Sequence, residues 1–184
     1  MPSSRMRGRR RLDIVLAALA VLAAACTPVF NWREVPVGEG DLVALLPCKP
    51  DRAERMLPLG TEAVRIDMAG CEAGGVTFAI AHAEASGPAQ ASAWLDAWRR
   101  ATRARLAGRT STETAGALPR AAAAPAPWRL DAPAGTDDDR MPPMRVLWFA
   151  RQHPRGVSLY QATAIGPPAS TEALETFFEG LRLP

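Results

Sequence analysis

Residues 144–165, MRVLWFARQHPRGVSLYQATAI, carry the clearest secondary-structure signal in the chain. Two largely apolar runs, 144–151 and 157–165, flank the tetrapeptide HPRG at 153–156. Apolar runs of this length on either side of a segment with Pro and Gly are typical of paired strands joined by a short turn. The stretch therefore predicts an antiparallel β-hairpin.

Further strands are predicted upstream of this hairpin. Residues 63–68 alternate between apolar and polar side chains, and residues 76–83 form the next apolar run after Gly74 and Gly75, which predicts a second hairpin. A short strand is predicted at 42–46, and a weaker one at 128–130.

Two segments have the helical period instead. In residues 88–107 the apolar side chains fall on one side of the helix, and the segment begins with Pro88 and ends before Gly108. The apolar side of this first helix comprises Ala91, Trp94, Leu95, Trp98, Ala101 and Leu106. A second helix capped by Ser170 carries Leu174, Phe177, Phe178 and Leu181 on one side. Strands, helix, strands and helix in this order predict an α+β domain, an antiparallel β-sheet packed by two helices.

The N-terminus has the zones of an export signal. Five arginines lie between positions 5 and 11, a 12-residue apolar run covers 14–25, and Cys26 follows three alanines. A membrane-spanning helix needs about 20 apolar residues, so this run predicts a cleaved signal peptide over 1–25. We expect a tether at 26–40, which packs Phe30 and Trp32 onto the domain, and a single α+β domain at 41–184.

Composition and charge fit that division. The chain has 184 residues, of which 48% are hydrophobic and 22% charged, as in globular proteins. Its net charge is +3, but residues 1–25 hold five arginines and one aspartate, so the other 159 residues carry 17 basic and 18 acidic groups. A nearly neutral body does not predict nucleic-acid binding.

The segment Leu22-Ala23-Ala24-Ala25-Cys26 resembles the lipobox of bacterial lipoproteins, in which the cysteine is acylated. The resemblance implies that Cys26 carries lipid, and Thr27 after it implies outer-membrane sorting, with the domain on the periplasmic face. The alternative is ordinary secretion, with Cys26 free or disulfide-bonded. If Cys26 is lipidated, Cys48 and Cys71 remain, and an even pair in an oxidising compartment predicts a Cys48–Cys71 disulfide.

Several short strings resemble the PsbP-like α/β/α sandwich, a superfamily of extrinsic photosystem proteins, a nuclear-import factor that binds Ran, and bacterial lipoproteins. The strings are LLPCKP at 45–50, GVTFAI at 75–80, LYQA at 159–162 followed by GPP at 166–168, and FFEGLR at 177–182. The resemblance implies this fold and a non-enzymatic, accessory role. It identifies no catalytic or ligand-binding residue.

Few residues are candidates for chemistry. His82 and His153 with a carboxylate would suit zinc, but their spacing favours structural or exposed roles. The acidic run 137–139 is expected to be a solvated turn. The arginines of the first helix are expected to form a solvated face, with anionic lipid as the alternative partner, and Trp94 and Trp98 are expected in the core.

No catalytic motif and no cofactor-binding motif occurs in the sequence, so we expect neither an enzyme nor a cofactor. The predicted function is that of a lipid-anchored accessory module that binds another envelope protein, of unknown identity. The alternative is a small-molecule or lipid carrier with an apolar cleft between sheet and helix, beside Trp94 and Trp98. An enzyme is the third hypothesis.

Overall fold

Two sheets and two helices form the part of the chain that the computed structural model describes, which comprises residues 29–39, 41–106, 108–135, 142–167 and 171–184. The predicted signal peptide, Cys26 and the acidic run 137–139 lie outside these residues. Strands β1 (Arg33–Val37) and β2 (Leu42–Leu46) form an antiparallel hairpin. No helix in the described ranges has the length and apolar character needed to cross a membrane.

The other strands build an antiparallel sheet of seven strands within the described ranges. They are β3 (Asp51–Leu59), β4 (Glu62–Ala73), β5 (Val76–Ala85), β6 (Thr112–Ala115), β7 (Trp128–Ala132), β8 (Met144–His153) and β9 (Gly156–Ile165), in the spatial order β3-β4-β5-β9-β8-β7-β6. The predicted hairpin is confirmed as β8–β9, whose pairing runs from His153↔Gly156 to Met144↔Ile165. It occupies the middle of the sheet together with β5.

Helix α1 (Pro88–Arg105) covers one face of this sheet, and helix α2 (Thr171–Glu179) lies with the β1–β2 hairpin on the other. Each face has its own core. Trp94, Trp98 and Trp148 are buried on the α1 side, whereas Phe78, Phe149, Tyr160 and Phe177 are buried on the α2 side. The expected α+β architecture of an antiparallel sheet packed by two helices is confirmed.

The apolar side of α1 differs from the prediction at one position. Ala101 is exposed, and Thr102 is buried in its place. The Thr102 hydroxyl donates a hydrogen bond to the Trp98 carbonyl oxygen at 3.1 Å, so the burial of this polar side chain leaves no unmet donor.

Three strands have no counterpart in the sequence-based prediction. Strands β3 and β6 are the edges of the large sheet, where one side of the strand is unpaired and polar residues are tolerated. Strand β1 lies within the predicted tether 26–40, and it pairs with β2 across the predicted boundary at residue 40. The hairpin therefore joins this part of the tether to the domain.

The disulfide connects the two sheets. The Sγ atoms of Cys48 and Cys71 lie 2.04 Å apart, as the sequence predicts. Cys48 follows β2, but Cys71 lies within β4, which continues to Ala73, rather than in the turn at Gly74 and Gly75.

Candidate functional site

A cleft of about 980 Å³ opens where β4 separates from β5. The β3–β4 pairing continues to Leu59↔Glu62, whereas the β4–β5 pairing ends at Asp67↔His82. The turn end of the β3–β4 hairpin bends away from β5, because its buried apolar side chains pack in the core on the α1 side of the sheet. The turns between β1 and β2 and between β8 and β9 complete the walls of the cleft.

The walls of the cleft are predominantly acidic. The carboxylates are those of Glu39, Asp41, Glu54, Glu62, Asp67 and Glu84, and the guanidinium groups are those of Arg52, Arg65 and Arg155. With neutral histidines, six carboxylates and three guanidinium groups give a local net charge of −3. Such walls attract basic groups in preference to anions.

Glu84 is the centre of a polar network at the bottom of the cleft. The Nε2 atom of His82 lies 3.3 Å from one oxygen of Glu84, and the Nε2 atom of His153 contacts the other oxygen. The Ser158 hydroxyl donates to Glu84 at 2.9 Å. Three strands, β5, β8 and β9, therefore supply side chains to one carboxylate.

Asp41 extends this network to the β1–β2 hairpin. Arg151 of β8 donates to the Asp41 carboxylate, and Ser158 Oγ lies 3.4 Å from the other Asp41 oxygen. Both members of the Arg151–Asp41 ion pair are about three-quarters shielded from solvent. The ion pair therefore fixes the turn that forms one wall of the cleft.

The two aromatic rings next to Glu84 have tightly defined positions. A Cβ atom at Gly38 would lie 3.1 Å from the His82 ring, and the φ angle of Gly38 is +66°, so both the contact and the backbone favour glycine. The Tyr160 ring lies 5.1 Å from the His82 ring and is fully buried. Burial raises the pKa of the Tyr160 hydroxyl, and the Asp41 and Glu84 carboxylates raise it further.

Carboxylates are the most numerous charged groups of the cleft. The Ser158 hydroxyl donates to the Glu84 carboxylate at 2.9 Å and lies 3.4 Å from an oxygen of Asp41. No group of three or more His, Cys, Asp or Glu side chains in the described ranges has the geometry of a metal site. The cleft therefore offers carboxylates to a basic ligand.

The sequence placed His82 and His153 in separate structural or exposed roles, and it did not identify Glu84. The structure brings both histidines to this residue. The pairing of the strands is what could have predicted these contacts with Glu84. Glu84 pairs with Ser158, and His153 closes the β8–β9 hairpin, but these registers are not visible in hydropathy alone.

Trp94 and Trp98 lie in the α1 core, as expected, and are 7% and 5% exposed. The indole of Trp94 reaches the edge of the cleft, where it donates to Glu62 at 3.0 Å. The wall next to it is charged rather than apolar, unlike the pocket that the carrier hypothesis places beside these residues.

Phe30 and Trp32 pack onto the domain, as the tether prediction expected. Their rings are stacked 5.8 Å apart, and the Trp32 ring meets the edge of the Phe78 ring at 6.5 Å. Both are half-buried, so they provide little free surface for a partner.

Two α1 arginines are committed to structural contacts. Arg99 and Arg103 both bind the Glu113 carboxylate of β6, at 2.6 and 2.8 Å, and Arg99 also stacks over the Trp128 ring at 4.0 Å. The expected solvated face is thus partly an interface with the edge of the sheet.

These ion pairs predict a pH dependence of stability. Burial alone raises the pKa of Glu113, but the hydrogen bonds and charges of Arg99 and Arg103 outweigh it and hold that pKa below the ordinary value of 4.5. A carboxyl group with a lowered folded-state pKa stabilises the protein above its unfolded-state pKa, and this stabilisation is lost as the pH falls through the folded-state value.

We therefore expect the free energy of unfolding, measured with urea across a pH series, to fall below about pH 4.5. The Glu113→Gln variant should show a shallower fall, whereas Glu72→Gln, at an exposed glutamate away from these arginines, should follow the wild type. Superimposable slopes for Glu113→Gln and the wild type would contradict the assignment.

No protein-family model and no curated protein matches this chain. Among solved structures, it is similar to the crystal structure of the Saccharomyces cerevisiae Ran-binding protein Mog1p. The TM-score is 0.41 and the identity is 11%, over 84% of this chain and 96% of that one. A similarity at this level carries no argument about function.

Proposed function

We propose that this protein is a non-catalytic accessory module of the bacterial cell envelope, anchored to the outer membrane through lipid on Cys26 and facing the periplasm. Its domain would be of the PsbP-like α/β/α sandwich type. It would bind another envelope protein, and the acidic cleft would receive a basic segment of that partner.

The pairing of the cysteines carries this proposal. The chain has three cysteines, and the bond between Cys48 and Cys71 leaves Cys26 alone. A structural disulfide is typical of an oxidising compartment. An unpaired cysteine directly after a signal-type segment, in a lipobox-like string, fits acylation better than a free thiol in that compartment.

The charge of the cleft supports the choice of partner surface. Glu39 and Glu54 are 74% and 57% exposed at their side chains, and each forms an exposed ion pair with an arginine of the lining, Arg155 and Arg65, for which a basic ligand would substitute. Neither belongs to the hydrogen-bond network around Glu84. Lysine or arginine side chains of an extended segment would pair with these two carboxylates.

The test is in-cell cross-linking of the tagged full chain, followed by mass spectrometry of the proteins that co-purify. We expect one envelope protein to be enriched, with cross-links that map to the walls of the cleft. The Glu39→Lys/Glu54→Lys variant should lose the partner, because reversal of both charges repels a basic segment.

Two controls accompany this experiment. The exposed Glu72 and Glu175 lie outside the cleft lining, so the Glu72→Lys/Glu175→Lys variant makes the same change in charge and should keep the partner. Cys26→Ala should lose it through loss of the anchor. Equal recovery from the two charge-reversed variants would contradict the role of the cleft, and recovery of abundant bystanders alone would contradict the adaptor function.

A further inference from the structure

A second groove, of about 850 Å³, lies on the α2 side of the molecule, away from the acidic cleft. It runs between the segment that follows β6, residues 116–120, and the C-terminal end of the chain after α2. Side chains of β7, β8 and α2 also line it.

The floor of this groove is apolar. Leu147 of β8, Phe178 of α2 and the C-terminal Leu181 and Leu183 line it. Phe178 is half-buried, and its ring meets the buried Phe177 ring at 4.9 Å, so the floor continues into the α2-side core. This surface would hold an acyl chain or another apolar group.

The rim of the groove is cationic. Arg120, Arg129, Arg145 and Arg182 line it together with the Glu179 carboxylate, and Arg182 also pairs with Glu34 outside the lining. Asp131 lies beside the rim and aligns two of these arginines, since it accepts hydrogen bonds from Arg129 at 2.6 and 3.0 Å and from Arg145 at 2.7 Å. The Arg145 guanidinium lies 5.7 Å from the Phe178 ring, so positive charge lies next to the apolar floor.

Arg120 has an unfavourable backbone conformation. Its φ angle is +65°, in the left-handed region that is unfavourable for a residue with a side chain. Its guanidinium lies 3.5 Å from the Leu183 carbonyl oxygen across the groove. Glycine would fit this backbone better, so the benefit of an arginine here lies in its side chain.

The groove lies on the same face of the domain as Phe30 and Trp32. The rings of Phe30, Trp32, Phe78, Phe177 and Phe178 form a continuous series, each centroid within 6.5 Å of the next. Val29, only three residues after Cys26, is exposed at the start of this series. The groove and the segment that follows Cys26 therefore lie on one side of the domain.

We propose that this groove binds a membrane phospholipid with an anionic headgroup, with an acyl chain on the floor around Phe178 and Leu147 and the phosphate at the rim between Arg120 and Arg145. An apolar floor beneath an excess of guanidinium groups is complementary to an anionic amphiphile and to neither a neutral lipid nor a basic peptide. This binding is separate from the partner of the acidic cleft.

The test is photo-cross-linking of the full chain with vesicles whose lipids carry a diazirine on the acyl chain. Vesicles of phosphatidylcholine alone are compared with vesicles that also contain phosphatidylglycerol. We expect labels at residues 118–121 and 178–183, and stronger labelling from phosphatidylglycerol. Arg120→Gln should reduce this labelling roughly fivefold, as expected for one basic residue at an anionic lipid surface.

Two further variants separate ligand binding from a structural role. Arg100→Gln removes an exposed arginine of α1, outside the groove lining, and should label as the wild type does. Arg120→Gly should lose labelling to the same extent as Arg120→Gln yet keep or raise the melting temperature, because glycine relieves the backbone strain. A fall in melting temperature for Arg120→Gly would show a structural arginine and overturn the proposal.

Equal labelling of the groove from both kinds of vesicle would overturn the role of the arginines. An unlabelled groove that instead cross-links to an acidic protein segment in cells would identify a protein as its occupant and overturn the lipid proposal. Neither result bears on the acidic cleft, since the vesicles contain no partner protein.

Discussion

Removal of the Cys48–Cys71 bridge is expected to lower the free energy of unfolding by about 3 kcal/mol on the chain-entropy model. The two cysteines are 23 positions apart, so the bond restricts a loop of moderate length in the unfolded chain. It also joins the β1–β2 hairpin to the large sheet, and no strand of the hairpin pairs with that sheet in the described ranges.

The measurement is denaturant unfolding of the Cys48→Ala/Cys71→Ala variant beside the wild type, with and without a reducing agent. The reductant should destabilise the wild type by a similar amount and leave the variant unchanged. Amide hydrogen exchange should accelerate most in β1 and β2, because the segment that follows the hairpin loses its cross-link to β4. An unchanged free energy of unfolding for the variant would show that the bond contributes nothing.

Substitution of Cys26 by alanine is expected to abolish acyl-dependent attachment to the outer membrane. Stable anchoring needs more than one acyl chain, each buried methylene contributing about 0.8 kcal/mol, and Cys26 is the proposed site of these chains. Fractionation of membranes should find the wild-type protein with the outer membrane. The Cys26→Ala protein should be absent from that fraction, whereas the Cys48→Ala/Cys71→Ala protein should remain in it.

Much of the fold was accessible from the sequence, because its central elements have strong hydropathy patterns. The β8–β9 hairpin is flanked by β5 and β7 and buried on both faces, so its residues form long apolar runs that stand out. Helix α1 was located because Trp94 and Trp98 recur at helical spacing. In both cases burial imposes a period that the sequence displays directly.

The edges and the cleft were not accessible in this way. Strand β3 has six exposed residues at its start and contains Pro58. An edge strand tolerates both features, but in a sequence they predict a loop. The cleft depends on where the β4–β5 pairing stops, which is decided by the packing of β3 and β4 on α1. Arg120 could not be singled out from the sequence, because hydropathy does not show its positive φ angle.

The central claim, a lipid-anchored envelope module, is tested most directly by the mass of the N-terminal peptide of the mature protein purified from membranes. The account predicts a peptide that begins at Cys26 and carries acyl chains, with Cys48 and Cys71 joined in the unreduced protein. A mature N-terminus elsewhere, with an unmodified Cys26 thiol or with Cys26 in a disulfide, would contradict it.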